Sequence, residues 1–438
     1  MLRSRASKLL FALIITAFTS GIIYAGFMAN PFKPLPEERL LLVNRDASSS
    51  EYSESIDQAS AYLRVAAEKL SVPSISVSVG INGEVVWSEA VGLSDIDNHI
   101  PATTTTLYRT NGVAKSITAA AIMKMVESNM IDLDMPVNHL FPNIDGNNPD
   151  FTTRELLTHT AGIGYHDDLG IAAKLNSLCE CMQFDSVSDA MSLVNGYDLT
   201  RDPGHEYHYS SYGYIMISKI LEDKTGLSFY NLLRDSVLSP LDISSVMPDH
   251  YPEPIAKTDK IVSYKTTGGN YKVWPTLKIL FHDRNLSYDW AAGGMLATPT
   301  DLVKIGNALL TDPEFVSPEI FHEFTSPQKY RNGEYIRNQE VALGWSVITN
   351  HPWDIHKDYR EDVTILRSGS VKKGSGNILL LIPEYNFVID VAVNGSEKNW
   401  SFEPLWNEVL TLSKFFLMDL KPSHLIGTKQ AVNIISTN

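Results

Sequence analysis

Leu107-Tyr-Arg-Thr-Asn-Gly112-Val-Ala-Lys115-Ser-Ile-Thr118 marks the point where an extended segment gives way to a helix. After Lys115, the residues Ile117, Ala120, Ala121, Met125 and Val126 fall on one side of a helical pattern. Gly112 and Lys115 are three residues apart, so the lysine lies one turn along on the face that Gly112 begins. A cationic side chain thus stands beside a position that has no side chain.

The pattern on either side of this stretch sets the fold class. Upstream, helical periodicity runs from Ile56 to about Leu70. Two alternating runs follow, Ile75 to Ile81 and Glu84 to Val91, separated by Asn82-Gly83, a pair suited to a tight hairpin. Residues from about Pro149 to Asn307 are loop-rich with amphipathic helices. Strand-like runs return at Gly344–Ile348, Ile378–Ile382 and Phe387–Val393, with Pro383-Glu-Tyr-Asn386 as the turn between the last two. A helix is expected from Pro404 to Leu420. Strands at both ends and helices between them predict an α/β domain at 56–425. Its antiparallel sheet is built from both chain ends and flanked by helices, with a mostly helical insertion at 149–307.

The chain has 438 residues, 44% of them hydrophobic, and a net charge of -15 from 51 acidic and 36 basic residues. That balance argues against nucleic acid as a partner, because phosphates call for clustered Lys and Arg. Cys179 and Cys181 are the two cysteines, too few for a disulfide framework. Arg3, Arg5 and Lys8 precede an uncharged run from Leu9 to Ala29, long enough to span a bilayer. Residues 1–29 therefore read as a retained anchor, with a cleaved signal peptide as the alternative. Positive residues stay on the cytoplasmic side, which puts the domain on the periplasmic or other extracytoplasmic side. Residues 30–55 read as a flexible linker and 426–438 as a tail.

Several further segments extend the pattern around Lys115. They are Leu156-Leu-Thr-His-Thr-Ala-Gly-Ile163, Pro203-Gly-His-Glu-Tyr-His-Tyr209-Ser-Ser211-Tyr-Gly-Tyr214, Trp290-Ala-Ala-Gly-Gly-Met-Leu-Ala-Thr-Pro-Thr-Asp-Leu302 and Leu366-Arg-Ser-Gly-Ser370. In order and spacing they resemble the motifs of the serine β-lactamases, penicillin-binding proteins and their esterase relatives. That family carries Ser-x-x-Lys at a helix start, a tyrosine motif on a loop, and Lys-Thr-Gly or His-Thr-Gly on a late strand. The segment from Ser287 to Gly294 especially resembles the mitochondrial serine β-lactamase-like branch and its bacterial relatives.

The resemblance assigns the serine nucleophile's position to Gly112, which has no hydroxyl to acylate. It assigns Lys115 and Tyr209 to proton movement. Ser211, Arg367, Ser368, Gly369 and Ser370 would bind substrate. Arg367, in the place of Lys or His, could grip a carboxylate in bidentate fashion but could not shuttle a proton. The amides of Gly112 and Ser370 would form an oxyanion hole. With Lys115 and Tyr209 in place, Gly112→Ser would be expected to restore some acylation. No cofactor or metal is implied.

Other candidates carry less. Ser116 points off the Lys115 face, Ser326-Pro-Gln-Lys329 reads as a loop, and Ser370-Val-Lys-Lys373 falls in the third motif. His205-Glu-Tyr-His208 is one residue short of a zinc motif, and His166-Asp-Asp168 reads as a polar loop. His159 reads as a loop-fixing hydrogen-bonder, and Lys265-Thr-Thr-Gly268 as a loop. The sequence thus leads to a binding protein that makes no acyl-enzyme, taking a small molecule or peptide with a carboxylate. The alternatives are a hydrolase using water activated by Lys115 or Tyr209, and a non-catalytic scaffold. It does not fix the oligomeric state.

Overall fold

The structure is a computed structural model. It describes residue 21 and residues 31–420, apart from 138–139, 141–149, 181, 195–197, 250–259, 275–284, 354–360, 398–401 and 419. The expected anchor, the expected tail and Cys181 lie outside the described residues. Among the described residues, no helix is long and apolar enough to cross a membrane.

The main sheet contains β1 (Val43–Ser48), β2 (Ser74–Ile81), β3 (Glu84–Asp95), β4 (Ser346–Trp353), β5 (Glu361–Lys372), β6 (Ser375–Ile382) and β7 (Phe387–Val393). Their spatial order is β4-β5-β6-β7-β2-β3-β1, antiparallel at every step. The join between the chain's two halves is β2 on β7, where Val79 faces Ile389. Asn82 and Gly83 both take positive φ, as the β2–β3 hairpin requires. A second tight hairpin joins β5 to β6 through Lys373 and Gly374, again both at positive φ, and the register from Leu366 to Lys372 is unbroken.

Alternation along the strands splits the core into two layers. On one face Ile75, Val77, Val79, Ile378, Leu380, Ile389 and Val391 pack against α1 (Ser53–Lys69) and a C-terminal helix, Phe402–Leu417. On the other face Leu366, Leu379, Leu381 and Val388 pack against α2 (Ala114–Glu127), α3 (Tyr212–Thr225) and α4 (Pro299–Thr311). The Phe402–Leu417 helix is α5 below. This is the β-lactamase/transpeptidase-like α/β fold, with the site lying between the second face and the helical layer.

Two segments differ from their sequence reading. Val43–Ser48, read as flexible linker, is the edge strand β1, paired on β3. An edge strand needs only one partner, and Val-Asn-Arg-Asp-Ala-Ser shows no apolar alternation to reveal it. Tyr264–Thr267, which includes most of the expected loop at Lys265, pairs with Asn270–Val273 around Gly268 and Gly269. Its buried Tyr264 and Thr266 alternate with part-exposed Lys265 and Thr267.

Candidate active-site cleft

Gly112 is held from both ends before its cleft is formed. Arg109, buried on a two-residue strand, donates from Nε to the fully buried Asp249 carboxylate at 2.7 Å. Lys260 also pairs with Asp249. Burial would raise the Asp249 carboxyl, but the two cations hold it well below the usual carboxylate range. Thr110 binds the Met295 carbonyl through both its backbone N–H and its hydroxyl. Asn111 adopts φ 46° and donates from its amide to the Ser375 hydroxyl at 3.2 Å. The chain then tightens into a single turn, Asn111–Val113, and enters α2.

Across the cleft, β5 clasps the glycine. The Gly112 N–H donates to Ser370 Oγ at 3.1 Å, and Ser368 Oγ donates to the Gly112 carbonyl at 3.1 Å. Between those serines lies Gly369 at φ 149°, where a Cβ would stand 2.2 Å from the Asn377 carbonyl oxygen. A Cβ on Gly112 would lie 2.8 Å from both the carbonyl carbon and the oxygen of Gly369. Backbone meets backbone here, and neither side is a flexible side chain. The Gly112 amide expected to face an oxyanion is already bonded to Ser370 Oγ.

Lys115 is buried, and its amine donates to the Ala292 carbonyl at 2.9 Å. The amine also lies 5.3 Å from the ring centroids of both Tyr209 and Tyr214. Burial alone would raise the Tyr209 hydroxyl, but the Lys115 ammonium and the Ser211 hydroxyl bring it below the ordinary tyrosine value. Tyr209 Oη and Ser211 Oγ are 3.5 Å apart.

His159 packs against Tyr209 with the rings tilted by 42° and their centroids 4.5 Å apart. Its Nδ1 lies within hydrogen-bond distance of both backbone groups of Ser210, 3.1 Å from the carbonyl oxygen and 3.3 Å from the N–H, which ties the ring to the tyrosine loop. Burial first, and the Lys115 charge second, push this imidazole down to about 3, so it is neutral. Its place under the tyrosine loop agrees with its sequence reading.

Gly112, Lys115, Tyr209, Ser211 and Ser370 line one small niche with Asp289 and Lys372, about 20 Å³ in volume. A second space, about 120 Å³, adjoins it and is lined by Gly112, Lys115, Tyr209, Arg367, Ser368, Gly369 and Ser370. All the residues expected at the site are therefore neighbours. The guanidinium carbon of Arg367, however, sits 5.0 Å from the ring centroids of Phe402 and Trp406 on α5. Its alternation with Ser368 and Ser370 turns it toward the α5 layer. Sequence reasoning missed Asp289 and Lys372. Lys372 lies two residues past Ser370, and alternation along β5 would have put both on one face.

Ser116, Ser326, His205 and His208 line neither of these two spaces. Ser116 Oγ donates to the Gly344 carbonyl at 3.1 Å. Ser326 caps the end of the helix Pro318–Thr325. His205 bonds the Pro203 carbonyl and His208 pairs with Asp168, so the two histidines face different partners.

A beta-lactamase family model matches residues 59–412. The chain belongs to the beta-lactamase family. Over 414 residues it is 22% identical to the mitochondrial serine beta-lactamase-like protein LACTB of Bos taurus, covering 76% of this chain and 72% of that one. Among solved structures, it resembles the octameric penicillin-binding protein homologue from Pyrococcus abyssi, with a TM-score of 0.63 and 22% identity over 82% of this chain and 77% of that one. It also resembles D-amino acid amidase from Ochrobactrum anthropi SV3, with a TM-score of 0.64 and 19% identity over 84% of this chain and 99% of that one. At such identities the two structures speak to the fold alone.

Proposed function

We propose that this member of the β-lactamase-related serine hydrolase family is a binding pseudoenzyme, anchored by its N-terminal segment with the domain outside the cytoplasm. Gly112 stands where the family's nucleophile is expected, and it offers no oxygen to carry an acyl group. The observation that carries the reading is the contact between Gly112 and Gly369. With β5 where it lies, no side chain fits at position 112. The Ser370 hydroxyl on the Gly112 N–H further supports it, since an incoming oxyanion would have to displace that hydroxyl. Lys115, Tyr209, Ser211 and the β5 serines then hold a small molecule or peptide without reacting with it. The anchor rests on Arg3, Arg5, Lys8 and the uncharged run behind them.

The test is intact-mass spectrometry of the full chain after incubation with a fluorescent penicillin and with a fluorophosphonate. The expected mass is that of the unmodified protein. A stoichiometric adduct would overturn the reading.

One observation favours a second reading. Ser211 Oγ lies 3.5 Å from a tyrosine hydroxyl whose pKa the Lys115 charge depresses. A hydrolase could use this Lys115–Tyr209 pair as a base toward Ser211 or a water. That reading expects turnover that disappears in both Lys115→Ala and Tyr209→Phe, and an adduct mapping to Ser211 if the serine is the nucleophile.

A further inference from the structure

Residues 30–55 read as a flexible linker, yet the chain is already tied to the domain at Lys33. Lys33 and Pro34 pair with Tyr271 and Asn270. Lys33 also meets Asp97 at 3.0 Å, and the Leu35 N–H donates to the Gly269 carbonyl at 2.9 Å. Leu35 and Arg39 are buried, and Arg39 Nε donates to the Val72 carbonyl at 3.1 Å. The uncharged run of the expected anchor ends at Ala29. Lys33 follows four residues later, so the tether spans at most about 14 Å.

This point of entry lies at the cleft's end of the molecule. Asn270–Val273, which carries the Lys33 pairing, pairs with Tyr264–Thr267, and that strand pairs with Gly395–Ser396. The Tyr264 N–H donates at 3.2 Å to the carbonyl of Gly374, in the β5–β6 turn just past Ser370. The Asn82-Gly83 turn lies at the other end of the sheet, since β7 leads from Phe387 toward Gly395 over about 25 Å.

Trp274 directly follows Val273, about 10 Å along the strand from Tyr271, the partner of Lys33. With Tyr165, Tyr212, Ile215 and Tyr288 it lines a cavity of about 360 Å³. Ser211 and Asp289 line both this cavity and the Gly112 niche, so the two are continuous. The cations of the cavity wall already have partners. Lys372 and Lys373 lie 3.5 and 3.0 Å from one Glu180 oxygen, and Lys373 also donates to the Ser177 carbonyl at 2.8 Å. His166 lies 3.6 Å from Asp167. What the wall offers a guest is therefore the surface of its rings and of Ile215. At the point of entry Phe32 is 40% exposed, with the Lys272 amine 4.7 Å from its ring centroid. Aromatic rings and lysines of this kind suit the headgroup layer of a bilayer.

Resting on the anchor reading above, we infer that the domain stands on the bilayer through the end that carries Lys33–Pro34 and Asn270–Val273, and that its cavity takes an acyl chain of a bilayer lipid. The chain enters past Trp274 and lies along the rings toward Ser211 and the Gly112 niche. Passing from bilayer to cavity exchanges one apolar setting for another, so the transfer depends on proximity, which the short tether supplies.

The test uses the full chain in phosphatidylcholine vesicles that contain a phosphatidylcholine with a diazirine near the end of one acyl chain. After irradiation, adducts are mapped by peptide mass spectrometry. Adducts are expected on rings of the cavity, among Tyr165, Tyr212, Trp274 and Tyr288, as well as within residues 9–29. A Gly-Ser spacer of about forty residues inserted after Asn30 leaves the fold untouched and should lower the cavity adducts about fivefold or more. Adducts confined to residues 9–29 would overturn the inference and leave the anchor reading standing. Equal labelling of the Asn82-Gly83 turn, or cavity labelling unchanged by the spacer, would overturn it too. A chain with no adduct anywhere would sink the anchor reading as well.

Discussion

At position 112, two β5 hydroxyls hold both peptide groups while the Gly369 backbone fills the Cβ site, so the glycine is matched to its strand. The sequence alone suggests that serine there would revive acylation, since Lys115 and Tyr209 remain. The contact argues the reverse. Gly112→Ser forces β5 back from the head of α2, an overpacking that costs about 1–3 kcal/mol. Thermal melting of this variant should fall below that of the unmutated protein, and its intact mass should stay unmodified by fluorophosphonate. Labelling with an unchanged melting point would mean that β5 yields freely and that the serine is all the site lacks.

Among the elements, β5 decides how the site is divided. Ser368, Ser370 and Lys372 share the cleft face, and Arg367 lies on the other with the aromatic rings of α5. Arg367→Ala is therefore expected to reduce stability by about 1 kcal/mol, through loss of stacking on Phe402 and Trp406. A melting curve measures this, and an unchanged melting point would refute the stacking. The motif order in the sequence led to Ser368 and Ser370 because those side chains do face Gly112. It misled about Arg367 because a motif records position along a strand, whereas function depends on which face the residue takes. Lys372 carries no motif and becomes legible only once β5 is known to continue to it before turning.

At the scale of the whole molecule, the two-ended sheet was readable because its central strands alternate strongly and Asn82-Gly83 dictates a hairpin. The edge strand β1 and the Tyr264–Thr267 pairing were not, since short strands with polar residues leave little periodic signal. The central sheet also holds a polar patch that no motif announced. Asp390 on β7 stands opposite Ser78, and Asn377 on β6 and Ser76 on β2 both stand opposite Ala392. Among the described residues, neither oxygen of Asp390, neither amide atom of Asn377 nor the Ser76 hydroxyl has a hydrogen-bond partner. Burial holds the Asp390 carboxyl well above the usual range. The folded state therefore keeps this proton when the unfolded chain releases it, and stability falls as pH rises above about 4 toward the folded value. Asp390→Asn should raise stability by about 1 kcal/mol or more at neutral pH and by little near pH 4. Calorimetric melting at both pH values measures this, and a gain independent of pH would refute it.

The seam between β2 and β7 has a bearing on how the protein comes to exist. Ribosomal synthesis releases Ser74–Ile81 more than three hundred residues before Phe387–Val393, its permanent neighbour, leaves the tunnel. Throughout that interval the β2–β3 hairpin carries an open hydrogen-bonding edge lined by Val77 and Val79, ready to join any strand that passes. A message truncated ahead of residue 387 would yield neither a weakened cleft nor a smaller domain, but a chain whose central strand seeks a substitute in other copies of itself.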